Sequence, residues 1–142
     1  MPLLSIYHPV NAFSIEDKDA MAVKLTDIYA RAMPRFYVNV LFHPVPEDCF
    51  YIGGVRRNNF VRITMDHIAR AFLSEASSRR FIDMVNQVIA PWVKDRSMDW
   101  EFHIDETPFH LWSVQGYYPP KQDTVDEKRW IAENRPSPRT HD

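Results

Sequence analysis

Short stretches of alternating polarity give way to helical spacing twice along this chain. Leu3-Leu4-Ser5-Ile6-Tyr7 is β-prone and ends at His8-Pro9, where proline cannot donate to a continuing ladder. Ser14 then precedes Ile15-Glu16-Asp17, a serine with a carboxylate three positions on, which marks a helix start. Ile15, Ala22, Leu25, Tyr29 and Ala32 recur at steps of three, four or seven and predict one apolar helical stripe. Pro34 is expected to stop that helix, and Phe36-Tyr37-Val38-Asn39-Val40-Leu41-Phe42 reads as a strand.

The plan then repeats. Phe60-Val61-Arg62-Ile63-Thr64-Met65 alternates like a half-buried strand, and Ser74-Glu75 starts a second helix. Phe81, Met84, Val85, Val88 and Trp92 lie on its stripe, Pro91 marks its end, and Asp99 to Ile104 alternates again as a closing strand. Corresponding elements sit about 60 residues apart. With right-handed crossovers between parallel strands, the pattern predicts an α/β fold: a duplicated β-α-β forming a two-layer sandwich of a four-stranded sheet and two main helices. The halves are placed at roughly 2–43 and 60–104, within a single domain over 1–118. The far sheet face is expected to be apolar and uncovered, which invites self-association.

Between the halves, Gly53-Gly54 fits a turn between short strands. No lysine followed by Ser or Thr accompanies it, as a phosphate-binding loop requires. Arg56-Arg57-Asn58-Asn59 reads as a solvated hairpin tip. Beyond Gly116 the chain turns polar and proline-rich, and residues 119–142 are expected to be a C-terminal extension whose last residues lie along a surface or are disordered. Within it, Val125 to Asn134 can form one short helix carrying Trp130.

Composition narrows the functional classes. The chain has 142 residues, about one domain's worth. Seventeen basic and 19 acidic residues give a net charge of −2, without the basic excess of a nucleic-acid binder. The apolar runs fall far short of the ~20 residues that span a bilayer. The lone cysteine, Cys49, permits no internal disulfide, so a reduced, cytoplasmic, soluble chain is expected. The six histidines (His8, His43, His67, His103, His110 and His141) show no metal-binding spacing, and no cofactor is expected.

The first two residues carry the most chemistry. Met1 precedes the small Pro2, so removal of the methionine is expected, leaving a free secondary amine. A free α-amino group titrates near ~8, and desolvation lowers that further. In an apolar pocket such an amine is a general base; the plain alternative is that Pro2 is merely a stable N-terminus.

Met1-Pro2 leading into a strand resembles the tautomerase superfamily, within it the group containing cis-3-chloroacrylic acid dehalogenase. Leu25-Thr26-Asp27, Gly53-Gly54-Val55, His67-Ile68-Ala69-Arg70, Glu106-Thr107-Pro108, and Gly116 before Pro119-Pro120 complete the likeness. The resemblance implies a homotrimer, active sites near subunit boundaries, and Pro2 moving a proton between carbon and oxygen of a small enol or 2-oxo carboxylic acid without cofactor or metal. It implies Arg70 as the carboxylate anchor, since a guanidinium forks onto two oxygens. The group's second carboxylate-binding arginine falls on His67. A polarising histidine falls on Tyr29, which also lies on the helix stripe, and a water-orienting tyrosine falls on His103. The water-activating glutamate falls on Val114, which cannot accept a proton, so hydrolytic dehalogenation needs a substitute. Its neighbour Gln115 can bond water, and Glu106 or Asp105 is the nearest carboxylate. Trp112 is expected to wall the pocket. Tautomerisation is therefore the leading expectation. Hydration or dehalogenation of a 3-haloacrylate comes next, and a non-catalytic oligomeric binding protein last. Neither nucleic acid nor membrane is expected as a partner.

Overall fold

The computed structural model describes residues 2–30 and 32–140. Six strands and three α-helices follow in the order β1 (Leu3–Pro9), α1 (Ile15–Tyr29), β2 (Asn39–Val45), β3 (Tyr51–Ile52), β4 (Val55–Arg56), β5 (Phe60–His67), α2 (Glu75–Ile89), β6 (Asp99–Glu106) and α3 (Val125–Glu133). Both main helices start where serine supplies the missing acceptor. Ser14 Oγ takes the Asp17 amide at 3.1 Å while the Asp17 carboxylate takes the Ser14 amide, and Ser74 and Ser77 reciprocate in the same way. Asp17 is further held by Arg96 at 2.7 Å, which pulls its carboxyl down to about 2.

The sheet order is β2-β1-β5-β6. β1 pairs with β2 and β5 with β6 in parallel, each pair closing one β-α-β half, while β1 and β5 join the halves antiparallel. The duplicated β-α-β fold is thus present. Leu4, Ile6, Val61, Ile63 and Met65 point to the helical side and are at most 1% exposed, under Met21, Leu25, Val85 and Ile89. Each buried side chain of this kind contributes about 1.5–3 kcal/mol by leaving water. Between β3 and β4, Gly53 and Gly54 both take positive φ (58° and 79°), the geometry a two-residue hairpin demands.

Several boundaries differ from the sequence expectation. α1 ends at Tyr29, before Pro34, and its buried stripe runs through Met21, Leu25 and Tyr29, with Ile15 73% exposed. The second strand begins at Asn39, because Arg35–Tyr37 forms a 3₁₀ turn that swings Phe36 and Tyr37 inward. Those rings meet Trp130 of α3, with centroids 6.0 and 6.2 Å away. Trp130 is fully buried, so the segment after residue 118 contributes to the core.

The far face of the sheet is also not the apolar surface expected. Its cross-strand rows read Tyr7–Arg62–Glu101, Ser5–Thr64–His103 and Leu3–Asp66–Asp105. The polar partners of β5 and β6 interlock, with Arg62 paired to Glu101 and bonded to His103 Nδ1 at 2.9 Å. Among the described residues, no helix is long and apolar enough to cross a membrane.

Candidate active site

The start of β1 and the end of β5 meet on the helical side of the sheet. Leu3 pairs with Asp66, and one step further in an antiparallel register sets Pro2 across from His67. His67 in turn pairs with Glu106 of β6. Pro2, His67 and Glu106 therefore form one row, the outer two roughly 10 Å apart at ~4.8 Å per strand. Pro2 is buried, and its carbonyl accepts the Asn39 amide at 2.9 Å. Met1, whose removal the sequence anticipates, lies outside the described residues, as does His141.

His67 is 3% exposed. Its ring stacks on Phe72 (4.5 Å, 10°), and Nδ1 lies 2.9 Å from the Tyr29 hydroxyl. That hydroxyl also reaches Met65 Sδ at 3.1 Å. One phenolic proton serves both contacts: given to sulfur, Tyr29 accepts from Nδ1–H; given to Nδ1, it leaves the histidine proton on Nε2. Burial lowers the His67 pKa. Glu106 opposes this, whereas the amino-terminal charge and Arg70 add to it. His67 is therefore neutral at neutral pH, and a neutral imidazole offers a carboxylate one hydrogen bond and no charge. Burial likewise raises the Tyr29 phenol, so Tyr29 stays protonated as a support for His67, and its packing role on the helix stripe is realised.

Past His67 the backbone turns sharply. Ala69 takes φ 76°, a left-handed conformation that costs a residue with a Cβ about 1–2 kcal/mol. Such strain gathers where a side chain must be aimed. Here it delivers Arg70 to the wall of a cavity of about 380 Å³, near the lower end of small-molecule sites. Glu106, Thr107, Pro108, Phe109, Lys121 and Gln122 share that wall. The Glu106 carboxylate accepts the Phe72 amide at 3.2 Å.

Arg70 is held firmly from behind. Nη1 donates to the Ala69 carbonyl at 2.8 Å, and Nη2 donates to the Ala32 carbonyl and to Glu127 Oε1, the latter at 2.9 Å. Glu127 is 3% exposed, and its second oxygen accepts the Asp123 amide at 2.7 Å. Of five guanidinium N–H groups, these contacts use three.

Four sequence candidates stand apart from this wall. His103 lies on the opposite sheet face, held by Arg62 and by Asp105 at 3.2 Å, because strand alternation places it with Thr64 and away from Met65 and His67. Trp112 backs the wall: it packs against Phe109 (5.7 Å) and Tyr37 (4.7 Å). Gln115 is exposed in a tight turn at φ 50°, where Val114 and Tyr117 exchange backbone hydrogen bonds of 2.9 Å. Tyr29 is one layer below, behind His67. Glu127 and Lys121 went unnoticed in the sequence. Thr124-x-x-Glu127 is a helix-start pattern that marks Glu127, and Thr124 does accept the Glu127 amide at 3.2 Å. Nothing in the pattern says that its carboxylate turns to Arg70. Among the described residues, no three His, Cys, Asp or Glu side chains gather as a metal would need.

Comparison with known proteins gives this arrangement its family. The family model described as "Putative oxalocrotonate tautomerase enzyme" matches residues 1–135. The chain belongs to this tautomerase family. A crystal structure of RhCC from Rhodococcus jostii RHA1 shares 43% identity over 96% of this chain and 99% of its own, with a TM-score of 0.93. N1, a member of the cis-3-chloroacrylic acid dehalogenase family, shares the tautomerase fold at 19% identity over 92% and 90%, with a TM-score of 0.72. A fused 4-OT asymmetric trimer shares it at 21% over 82% and 94%, with a TM-score of 0.65. No curated protein sequence matches.

Proposed function

We propose that this tautomerase-family chain is a cofactor-independent enzyme that interconverts enol and keto forms of a small carboxylic acid, with Pro2 as the base. The observation that carries the reading is one row of neighbours: buried Pro2 across from His67, His67 beside Glu106, and Arg70 on the adjoining cavity.

The chemistry follows from that placement. With Met1 gone, the proline nitrogen is a secondary amine, and its burial disfavours the cationic form. Its lone pair takes the enol O–H proton. The C–O bond becomes a carbonyl as the C=C electrons capture the proton at the α-carbon, and the amine is regenerated. In the reverse direction the amine takes the α-proton and returns it to oxygen. Negative charge grows on that oxygen in both directions, and the Arg70 donors left free stabilise it or the adjacent carboxylate. Neutral His67 adds a fixed hydrogen bond, and Phe109, backed by Trp112, excludes water.

Ketonisation of phenylenolpyruvate, followed by loss of enol absorbance, tests this. Pro2→Ala is expected to slow turnover by about 100-fold or more, the usual worth of a positioned base. An unchanged rate overturns the base assignment, as does an intact mass showing Met1 retained in active protein.

A second reading has one observation in its favour. Glu106, the carboxylate nearest to the missing family glutamate, lies on the same cavity wall as Arg70. In that reading Pro2 starts as the ammonium. Glu106 takes a proton from the water that adds to C3 of a cis-3-haloacrylate, and Pro2 gives its proton to C2. The resulting halohydrin expels halide as its hydroxyl proton is lost and an aldehyde forms. Halide release that disappears in Glu106→Gln supports that reading.

We further propose a homotrimer, as the fused 4-OT neighbour forms, with the uncovered sheet face as the contact. Light scattering at about 50 kDa against a chain of 16.8 kDa checks it. The exposed free thiol of Cys49 accords with a reducing compartment such as the cytoplasm.

A further inference from the structure

A carboxylate ligand needs cationic charge in the cavity, and the two residues expected to supply it are both compromised. His67 is neutral and stacked on Phe72. Arg70 spends its charge on Glu127, a carboxylate more deeply buried than itself, with side-chain exposures of 3% and 17%. A buried ion pair presents little net field to a third charge, because the partner cancels it at short range.

One cation on the wall has no such partner. Lys121 lines the same cavity as Arg70 and Glu106, is exposed, and takes part in no ion pair among the described residues. Its position is fixed from the backbone: its carbonyl accepts the Thr124 hydroxyl at 2.8 Å, which ties it to the first turn of α3, the same turn that supplies Glu127.

We propose, on the basis of the tautomerase reading of this same cavity, that Lys121 is the second carboxylate-binding cation of the site. The C-terminal segment thereby supplies both the charge that binds the ligand and the carboxylate that sets Arg70. The ligand is a small 2-oxo monocarboxylate, one oxygen facing the free Arg70 donors and the other the Lys121 ammonium. A volume of about 380 Å³ suits a single aromatic or short aliphatic acid.

Calorimetric titration with benzoylformate tests this apart from catalysis, since that 2-oxo acid has no α-hydrogen and cannot tautomerise. Lys121→Met keeps the aliphatic stem and is expected to weaken binding about fivefold, the worth of one exposed charge contact, and to flatten its salt dependence. Lys121→Arg is expected to stay within about twofold of the parent chain, and the neutral amide of the ligand to bind parent and Lys121→Met alike. Equal benzoylformate affinity in parent and Lys121→Met, equal losses with acid and amide, or no binding to the parent chain overturns the assignment. A Pro2→Ala chain of undiminished ketonisation rate, alongside weakened binding in Lys121→Met, sinks the base assignment and leaves the carboxylate site standing.

Discussion

Arg70 and Glu127, 57 positions apart, form an ion pair of 2.9 Å in which the carboxylate is almost wholly buried. The pair ties the loop after β5 to the first turn of α3. Charges taken out of water in this way add little net stability as a pair, but each is costly without the other. The cavity wall therefore depends on a helix that lies outside the duplicated fold.

Removing the acidic partner alone is expected to be severe. Glu127→Ala leaves the guanidinium without its counter-charge and frees the Asp123 amide, so a loss of about 3 kcal/mol is expected in urea unfolding. Replacing both members by apolar residues, Arg70→Met with Glu127→Leu, is expected to recover most of that loss. Additive losses in the double variant contradict the coupling.

Tyr29→Phe tests the support beneath His67. It deletes the hydroxyl that meets His67 Nδ1 and Met65 Sδ, leaving a buried ring nitrogen without its partner. A buried polar atom left unsatisfied costs about 1–3 kcal/mol. A shift of the His67 ring nitrogen resonances in Tyr29→Phe confirms that this hydroxyl sets the tautomer.

Acid sensitivity follows from two buried histidines. Burial lowers the pKa of His67 and also of His8, which is fully buried against Phe13 and Phe42. The unfolded chain takes up protons near pH 6.5, where the folded chain resists them, so folding stability is full above that pH and falls as pH drops below it. Asp17, held down to about 2 by Arg96, loses its contribution in a separate window, between about pH 4 and 2. Urea midpoints are expected to fall between pH 7 and 5, and less steeply in His8→Phe. A flat profile over that range contradicts buried neutral histidines.

Trp130→Ala is expected to cost about 3–5 kcal/mol, as for a large ring removed from a core. The indole is fully buried between Phe36 and Tyr37, and it donates to the Ser137 carbonyl at 3.0 Å. If chain 119–140 were a loose appendage, the change would leave the unfolding midpoint in place.

Much of the fold was legible because it rests on local rules. The Ser14 and Ser74 starts, the Gly53-Gly54 turn and the alternation in β5 each follow from near neighbours in sequence, and all appear in the structure. The misplaced ends have tertiary causes. Phe36 and Tyr37 have strand-like character, yet a ring from α3 draws them into a turn. Ile15 completes a helical stripe on paper, yet it is exposed while Met21, Leu25 and Tyr29 are buried. The far sheet face was misjudged for a related reason: Arg62, Glu101, His103 and Asp105 satisfy one another across strands, a pairing that shows only once the register is set.

By itself, the order of residues determined the repeated strand-helix-strand plan, the left-handed glycine turn, and the presence of a proline that can become an amine. All of these are decided within a few neighbours by backbone sterics and capping. Folding in three dimensions decided which residues become neighbours: Pro2 across from His67 by register, Arg70 paired with Glu127, Lys121 on the Arg70 wall, and His103 on the opposite sheet face. Strand register and helix docking set those distances, and both are properties of contacts between segments far apart in the chain.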